Sequence, residues 1–147
     1  MKLLVLTIYN MSLTINYLAV LAAAVVSMVV GALWYGPLFG KLWISMMGFT
    51  EEKMKEAKAK GMGKSYAVAF VGSLVMAFVL AHFAAVWNAE GVAGAWQLAF
   101  WSWLGFIAPI MLGQVLWEGK PVKLYILNVA HYLVALFLMA IMLVMWR

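Results

Sequence analysis

The sequence predicts an all-α membrane protein of four transmembrane helices, arranged as two similar hairpins, with a short cytoplasmic amphipathic helix inside the first. Three observations carry this. Hydrophobic residues make up 68% of the 147 and charged residues only 10%, where soluble domains run at roughly 45–50% and about 25%. The apolar residues gather into four runs of about 20, the length that crosses a hydrocarbon core of about 30 Å. A short series, Leu-Trp-x-Gly, then proline, then Lys-Leu and an aromatic, occurs once after the first run and again after the third.

Residues 1–15 form a short N-terminal segment. It has one lysine, Lys2, and a brief apolar run broken by Asn10. No small-residue cleavage site followed by polar sequence is present, so it does not read as a cleaved signal peptide. Two readings stand: Met11 is the natural start, or the first ten residues are an outer-face extension. Residues 16–147 then make a single four-span domain. Hairpin one covers 16–87, with a cytoplasmic segment at 38–64, and hairpin two covers 95–147.

The first span covers residues 16–35. Ala19, Ala23, Ser27 and Gly31 recur at steps of four, a ridge of small side chains that lets another backbone approach. Trp34 and Tyr35 close the span as amphipathic interfacial rings, and Pro37 disfavours helix at Gly36. Residues 38–49 stay apolar but are too short to cross, so an interfacial or re-entrant piece is expected. Thr50 then offers an N-cap, with Glu51 and Glu52 at the positive helix end. The pairs Glu51/Lys55 and Glu56/Lys60 lie at i,i+4 on that short surface helix.

The second span covers 66–85, with a ridge of its own at Ala69, Ser73, Ala77, Ala81 and Ala85. Two such ridges on consecutive antiparallel helices predict close packing of spans one and two, or one ridge free for a dimer. The third span, 96–116, contains Pro109, which leaves the Gly105 carbonyl without its helical partner and predicts a kink. Glu118, Gly119, Lys120 and Pro121 turn the chain into the fourth span, 124–145.

Charge sets the sidedness. The segment 41–64 holds six lysines and three glutamates, the third connection holds Lys120 and Lys123, and the middle connection holds Glu90 alone. By the positive-inside rule the lysine-rich face is cytoplasmic and both termini are outside. The net charge of +5 therefore points to anionic headgroups beside segment 41–64, not to nucleic acid.

The echo between the hairpins is ordered. Leu33 and Trp34 match Leu116 and Trp117 at an offset of 83, while Tyr66 matches Tyr125 and Trp87 matches Trp146 at 59; the difference, 83 − 59 = 24, is the lysine-rich insertion. Trp34, Tyr35, Gly36 and Pro37 and their counterparts Trp117, Glu118, Gly119 and Pro121 read as repeated membrane-exit turns. Both hairpins run in the same sense, which is a parallel pseudo-twofold repeat about the membrane normal.

At Leu33, Trp34, Tyr35, Gly36 and Pro37, with residues 15–20 before them, the chain resembles a family of small bacterial membrane proteins catalogued as domain of unknown function 1761. The likeness continues through residues 67–76 and Trp117, Glu118, Gly119, Lys120 and Pro121, and covers nearly everything from Met11 to Trp146. It implies a four-span protein of the bacterial cytoplasmic membrane and supports Met11 as the start. It brings no activity, cofactor or catalytic residue.

Chemistry has few places to sit. No Asp, Glu, Lys or Arg lies well inside a span, and cysteine and aspartate are absent, which excludes thiolate sites and argues against a carboxylate-driven antiporter. A hydrolase needs a base within reach of its nucleophile, and Ser73 and Ser102 have none nearby, so no catalytic residue is expected. A haem held by His82 and His131 fails on depth: about 25 Å against about 15 Å from the lysine-rich face, at 1.5 Å per residue. No cofactor or metal is therefore expected. What remains is a polar arc on the fourth span, Tyr125, Asn128, His131 and Tyr132, with Gln114 near the end of the third. It reads either as an interhelical hydrogen-bond patch or as a ligand pocket in which His131 alone ordinarily titrates near neutrality. Trp101 and Trp103 lie deeper than the other tryptophans and suit the lining of a hydrophobic groove. Two functions follow: a structural or accessory homo-oligomeric membrane component, a dimer being the simplest, or a small permease or lipid/small-molecule binder using that arc.

Overall fold

A computed structural model describes residues 13–147, so the readings placed on residues 1–12, the Met11 start among them, lie outside the described part. The described chain runs α1 (Tyr17–Leu33), a π-helical turn (Trp34–Leu38), α2 (Gly40–Met47), α3 (Glu51–Lys60), α4 (Gly63–Val86), α5 (Gly91–Phe106), α6 (Ala108–Met111), α7 (Gly113–Leu116) and α8 (Val122–Met145). Four stretches are long and apolar enough to cross a membrane: Tyr17–Leu38, Gly63–Val86, Gly91–Leu116 and Val122–Met145.

Local chemistry sets the helix ends. The Asn16 carboxamide oxygen accepts from the N–H groups of Leu18 and Ala19 at 3.0 and 3.1 Å, capping α1. At the other end Pro37 has no N–H and Gly36 leaves helical geometry at φ −105°, ψ −105°. The chain widens into a π turn there, and the Phe39 N–H reaches back five residues to the Trp34 carbonyl at 2.9 Å. The apolar piece that follows is α2, which folds back under the turn. A Cβ on Gly40 would lie 2.6 Å from the Tyr35 carbonyl oxygen, so only glycine permits that approach. The Thr50 hydroxyl caps α3 by accepting from the Lys53 N–H at 3.3 Å. That helix is exposed on every side except at Met54, which is half-buried, so its apolar face is one residue wide.

The third span is broken where Pro109 predicts. Ile107 departs to φ −110° between α5 and α6, and the Ala108 carbonyl at the break accepts from the Tyr125 hydroxyl at 3.0 Å.

The fourth span is the centre of the bundle. α8 packs broadly on both α1 and α5 and more lightly on α4, α1 also packs on α4, and α4 scarcely touches α5. The contacts between hairpins are thus unequal. Small residues make these approaches possible: Ala19, Ala23 and Ala24 on α1, Ala77 and Ala84 on α4, Ala95 and Ala99 on α5, and Ala135 and Ala140 on α8 are all buried. The ridge expected on the second span is shorter than its spacing suggests. Ser73, Ala77 and Ala81 are buried, but Ala85 is half-buried and Ala69 exposed.

At the lysine-poor end the elements are tied together. The Asn16 amide donates to the Trp146 carbonyl at 3.2 Å. The Arg147 guanidinium donates to the carbonyls of Ala84, at 2.8 Å, and Ala89 across the α4–α5 turn.

Candidate functional site

Between α1 and α4, toward the lysine-rich end, lies a large void. On its bundle side the Ser73 hydroxyl lies 3.5 Å from that of Ser27. Beyond this pair, toward the lysine-rich face, α1 offers Gly31, Ala32 and Gly36, and α4 offers Ala69 and Gly72. None is large enough to bridge the gap. The result is a wedge of about 570 Å³, backed by His131 and Tyr132 of α8, flanked by Met28 and Met76, and edged by Tyr35 and Tyr66. Its volume falls in the range of small-molecule sites. Ala32, Gly36, Ala69 and Gly72 are exposed, so the wedge opens sideways between the first two spans. No charged side chain lines it.

His131 stands at the back of the wedge and is only 7% exposed. Its ring lies 4.9 Å from that of Tyr35, 5.0 Å from Tyr132 and 6.0 Å from Trp34, centre to centre. A Cβ on Gly31 would sit 3.6 Å from Nε2, so the imidazole packs directly on the α1 backbone. Neither ring nitrogen meets a hydrogen-bond partner, and neither does the buried indole N–H of Trp34. A buried polar atom left unpaired costs about 1–3 kcal/mol. Two adjacent residues in this condition are uncommon in a native interior and call for an explanation beyond packing.

A second, more polar cavity of about 260 Å³ lies on the lysine-rich side of the same residues. Trp43 and Met47 of α2 cover it, and Gln114, Glu118, Lys120 and Asn128 line it. Tyr35 and Tyr132 line both cavities. Between the two, the Tyr35 hydroxyl donates to the Asn128 carboxamide oxygen at 2.9 Å, and Trp43 meets the Tyr35 ring edge-on at 5.5 Å.

The residues singled out on the fourth span separate. His131 and Tyr132 back the wedge, Asn128 stands at the wall between the cavities, and Gln114 lines the second cavity. Tyr125 is elsewhere, bonded to the Ala108 carbonyl. The rings of Trp34 and Tyr35 both turn toward α8 and meet His131, where the π turn adds a residue to the helical repeat. Their counterpart Trp117 is 86% exposed, so the two exit turns differ in what their tryptophans do. The Trp103 indole N–H donates to the Val129 carbonyl at 2.7 Å, while Trp101 is exposed. His82 bonds its own helix at the Phe78 carbonyl, 2.8 Å away.

Ser27, Gly31, Tyr35 and Trp43 also line the site, although their sequence pattern is that of ridge, exit-turn or interfacial residues. The available signal was the aromatic pair directly before Gly36 and Pro37, since a helix that widens there turns both rings one way. Among the described residues no three His, Cys, Asp or Glu side chains come together in a way that would hold a metal ion. The wedge is lined by neutral hydrogen-bonding groups set in apolar walls, and the second cavity adds Glu118 and Lys120.

Residues 18–144 match a family model described as "Protein of unknown function (DUF1761)". No curated protein and no solved structure matches the chain.

Proposed function

The chain belongs to this family, DUF1761, and as membership names no activity, we propose one from the site: an intramembrane receptor for a neutral amphipathic molecule taken sideways from the bilayer. The observation that carries the reading is His131, buried and unpartnered at the back of an uncharged wedge. A ligand hydroxyl or carbonyl near Ser27, Ser73 and Tyr132, with a small adjustment of His131, would supply partners that the protein does not. Its apolar part would fill the space beside Met28, Ala69 and Met76.

In this reading the lysine-rich face is cytoplasmic, both termini are outside, and the membrane is the bacterial cytoplasmic one. The lysines of segment 41–64 hold anionic headgroups at the mouth of the wedge, each contributing about 1 kcal/mol. The two hairpins descend from a duplication, and the second has since diverged to give the central span.

The test is native mass spectrometry, with solvent extraction, on protein purified gently from its own membrane. The wild type is expected to carry one small neutral molecule per chain, and Ala69→Phe, which fills the wedge from an exposed position, is expected to carry none. A wild type that is empty, or a variant equally loaded, sinks the proposal. The same spectrum counts subunits and so tests a second reading, a homo-oligomeric accessory component. That reading is favoured by the apolar groove of about 390 Å³ left where α4 and α5 separate, lined by Val75, Val79, Phe83 and Phe106.

A further inference from the structure

We infer that the wedge and the second cavity are two halves of one route, closed between them by the Tyr35–Asn128 hydrogen bond. The inference rests on the receptor reading and extends it from binding to passage between the bilayer and the lysine-rich aqueous face. Tyr35 and Tyr132 line both voids, so the wall dividing them is a single layer of side chains. Among the described residues, the wall's one bond from the first span to the fourth is the 2.9 Å contact of the phenol with the Asn128 oxygen. A bond of this kind has a small net worth, because a ligand or water can take over either partner.

The two ends of the route differ in character. The wedge is uncharged, whereas Gln114, Glu118 and Lys120 line the other side. An amphipathic molecule can therefore keep its apolar part between α1 and α4 while its polar group exchanges the Tyr35 hydroxyl for side chains of the second cavity. Tyr35 sits in the π turn beside Gly36, at a point where the backbone has already left the regular helical ladder. Trp43 of α2 braces its ring, so movement of α2 would release it.

The chain contains no cysteine, which makes a single introduced thiol an unambiguous reporter. The experiment uses sealed vesicles presenting the lysine-rich face and a charged, membrane-impermeant methanethiosulfonate reagent. Gln114→Cys is expected to react readily. Ser27→Cys, at the floor of the wedge, is expected to react slowly while Tyr35 is intact. Tyr35→Phe, which removes only the hydroxyl, should speed the Ser27→Cys reaction about three- to tenfold, and Tyr35→Ala should speed it further. An unchanged unfolding midpoint and helical circular dichroism in these backgrounds show that the fold is kept. Fast reaction of Ser27→Cys with Tyr35 present, or no acceleration when Tyr35 is changed in a folded protein, overturns the route. The receptor reading fails separately, through a wild type that carries nothing in the mass spectrum.

Discussion

The Tyr35 phenol and the Asn128 carboxamide meet at 2.9 Å although 93 residues separate them in the chain. They join the end of the first span to the second turn of the last. Asn128 is buried, so each group depends on the other for its partner. Removing either alone takes the partner from the other, at a cost of up to about 1–3 kcal/mol that water entering from the adjoining cavity reduces. A double-mutant cycle with Tyr35→Phe and Asn128→Leu should give a coupling of about 1 kcal/mol, within the range seen for hydrogen bonds between membrane helices. Reversible unfolding in mixed micelles measures it, and strictly additive losses would disprove the pairing.

His131→Phe should be neutral or stabilising. It keeps the ring's packing against Gly31, Tyr35 and Tyr132 and removes two buried nitrogens that have no partner. The same variant should lose the retained molecule. His131→Ala, by contrast, opens a void and should cost about 2–4 kcal/mol. Unfolding free energies together with extraction of bound material separate the two effects. A large loss of stability in His131→Phe would mean that the imidazole makes hydrogen bonds in the fold, contrary to the receptor reading.

Gly40 and Gly72 should respond oppositely to alanine. At Gly40 the new Cβ would lie 2.6 Å from a backbone oxygen, while at Gly72 it meets nothing within 4 Å. Gly40→Ala should displace α2 and lift Trp43 from Tyr35, lowering the melting temperature by several degrees and shifting tryptophan fluorescence. Gly72→Ala should raise stability by up to about 1 kcal/mol through helix propensity. Equal effects at the two sites would refute the tight seating of α2.

Arg147→Gln should loosen the α4–α5 turn. The guanidinium donates to two carbonyls there, from Ala84 and Ala89, and hydrogen bonds of a charged donor are worth about 1.5–3 kcal/mol each in net terms. Faster amide exchange at residues 87–91, with α1 unchanged, is the expected readout. Uniform acceleration through all four spans would show a global effect instead.

The four spans, the Thr50 cap and the break before Pro109 could all be read from the sequence because each follows from local chemistry: run length, a capping hydroxyl, a missing N–H. The site was only half legible. Asn128, His131 and Tyr132 announce themselves as polar groups in an apolar helix, but what faces them depends on how helices are rotated. Trp34 and Tyr35 show why. An undistorted helix ending at a Gly-Pro pair leaves its last aromatics at the interface, whereas the π turn swings them inward. Ala69 is exposed in the single chain: spacing of four reports a possible contact line, and the length over which two helices stay together depends on their crossing. The same limit hid Ser27, which looks like one more ridge residue and is instead the last point of contact before the wedge.

The fastening of Asn16 to Trp146, and of Arg147 to Ala84 and Ala89, ties the bundle at one end, while at the other α1 and α4 face each other across the wedge. A sideways squeeze at the lysine-rich end is resisted mainly by whatever occupies the space between them. Lateral pressure on the wedge side is therefore expected to act on the volume of the wedge, whereas on the other side it meets helix ends joined by hydrogen bonds. Lipids that crowd one leaflet should thus change occupancy of the wedge without touching any of its residues.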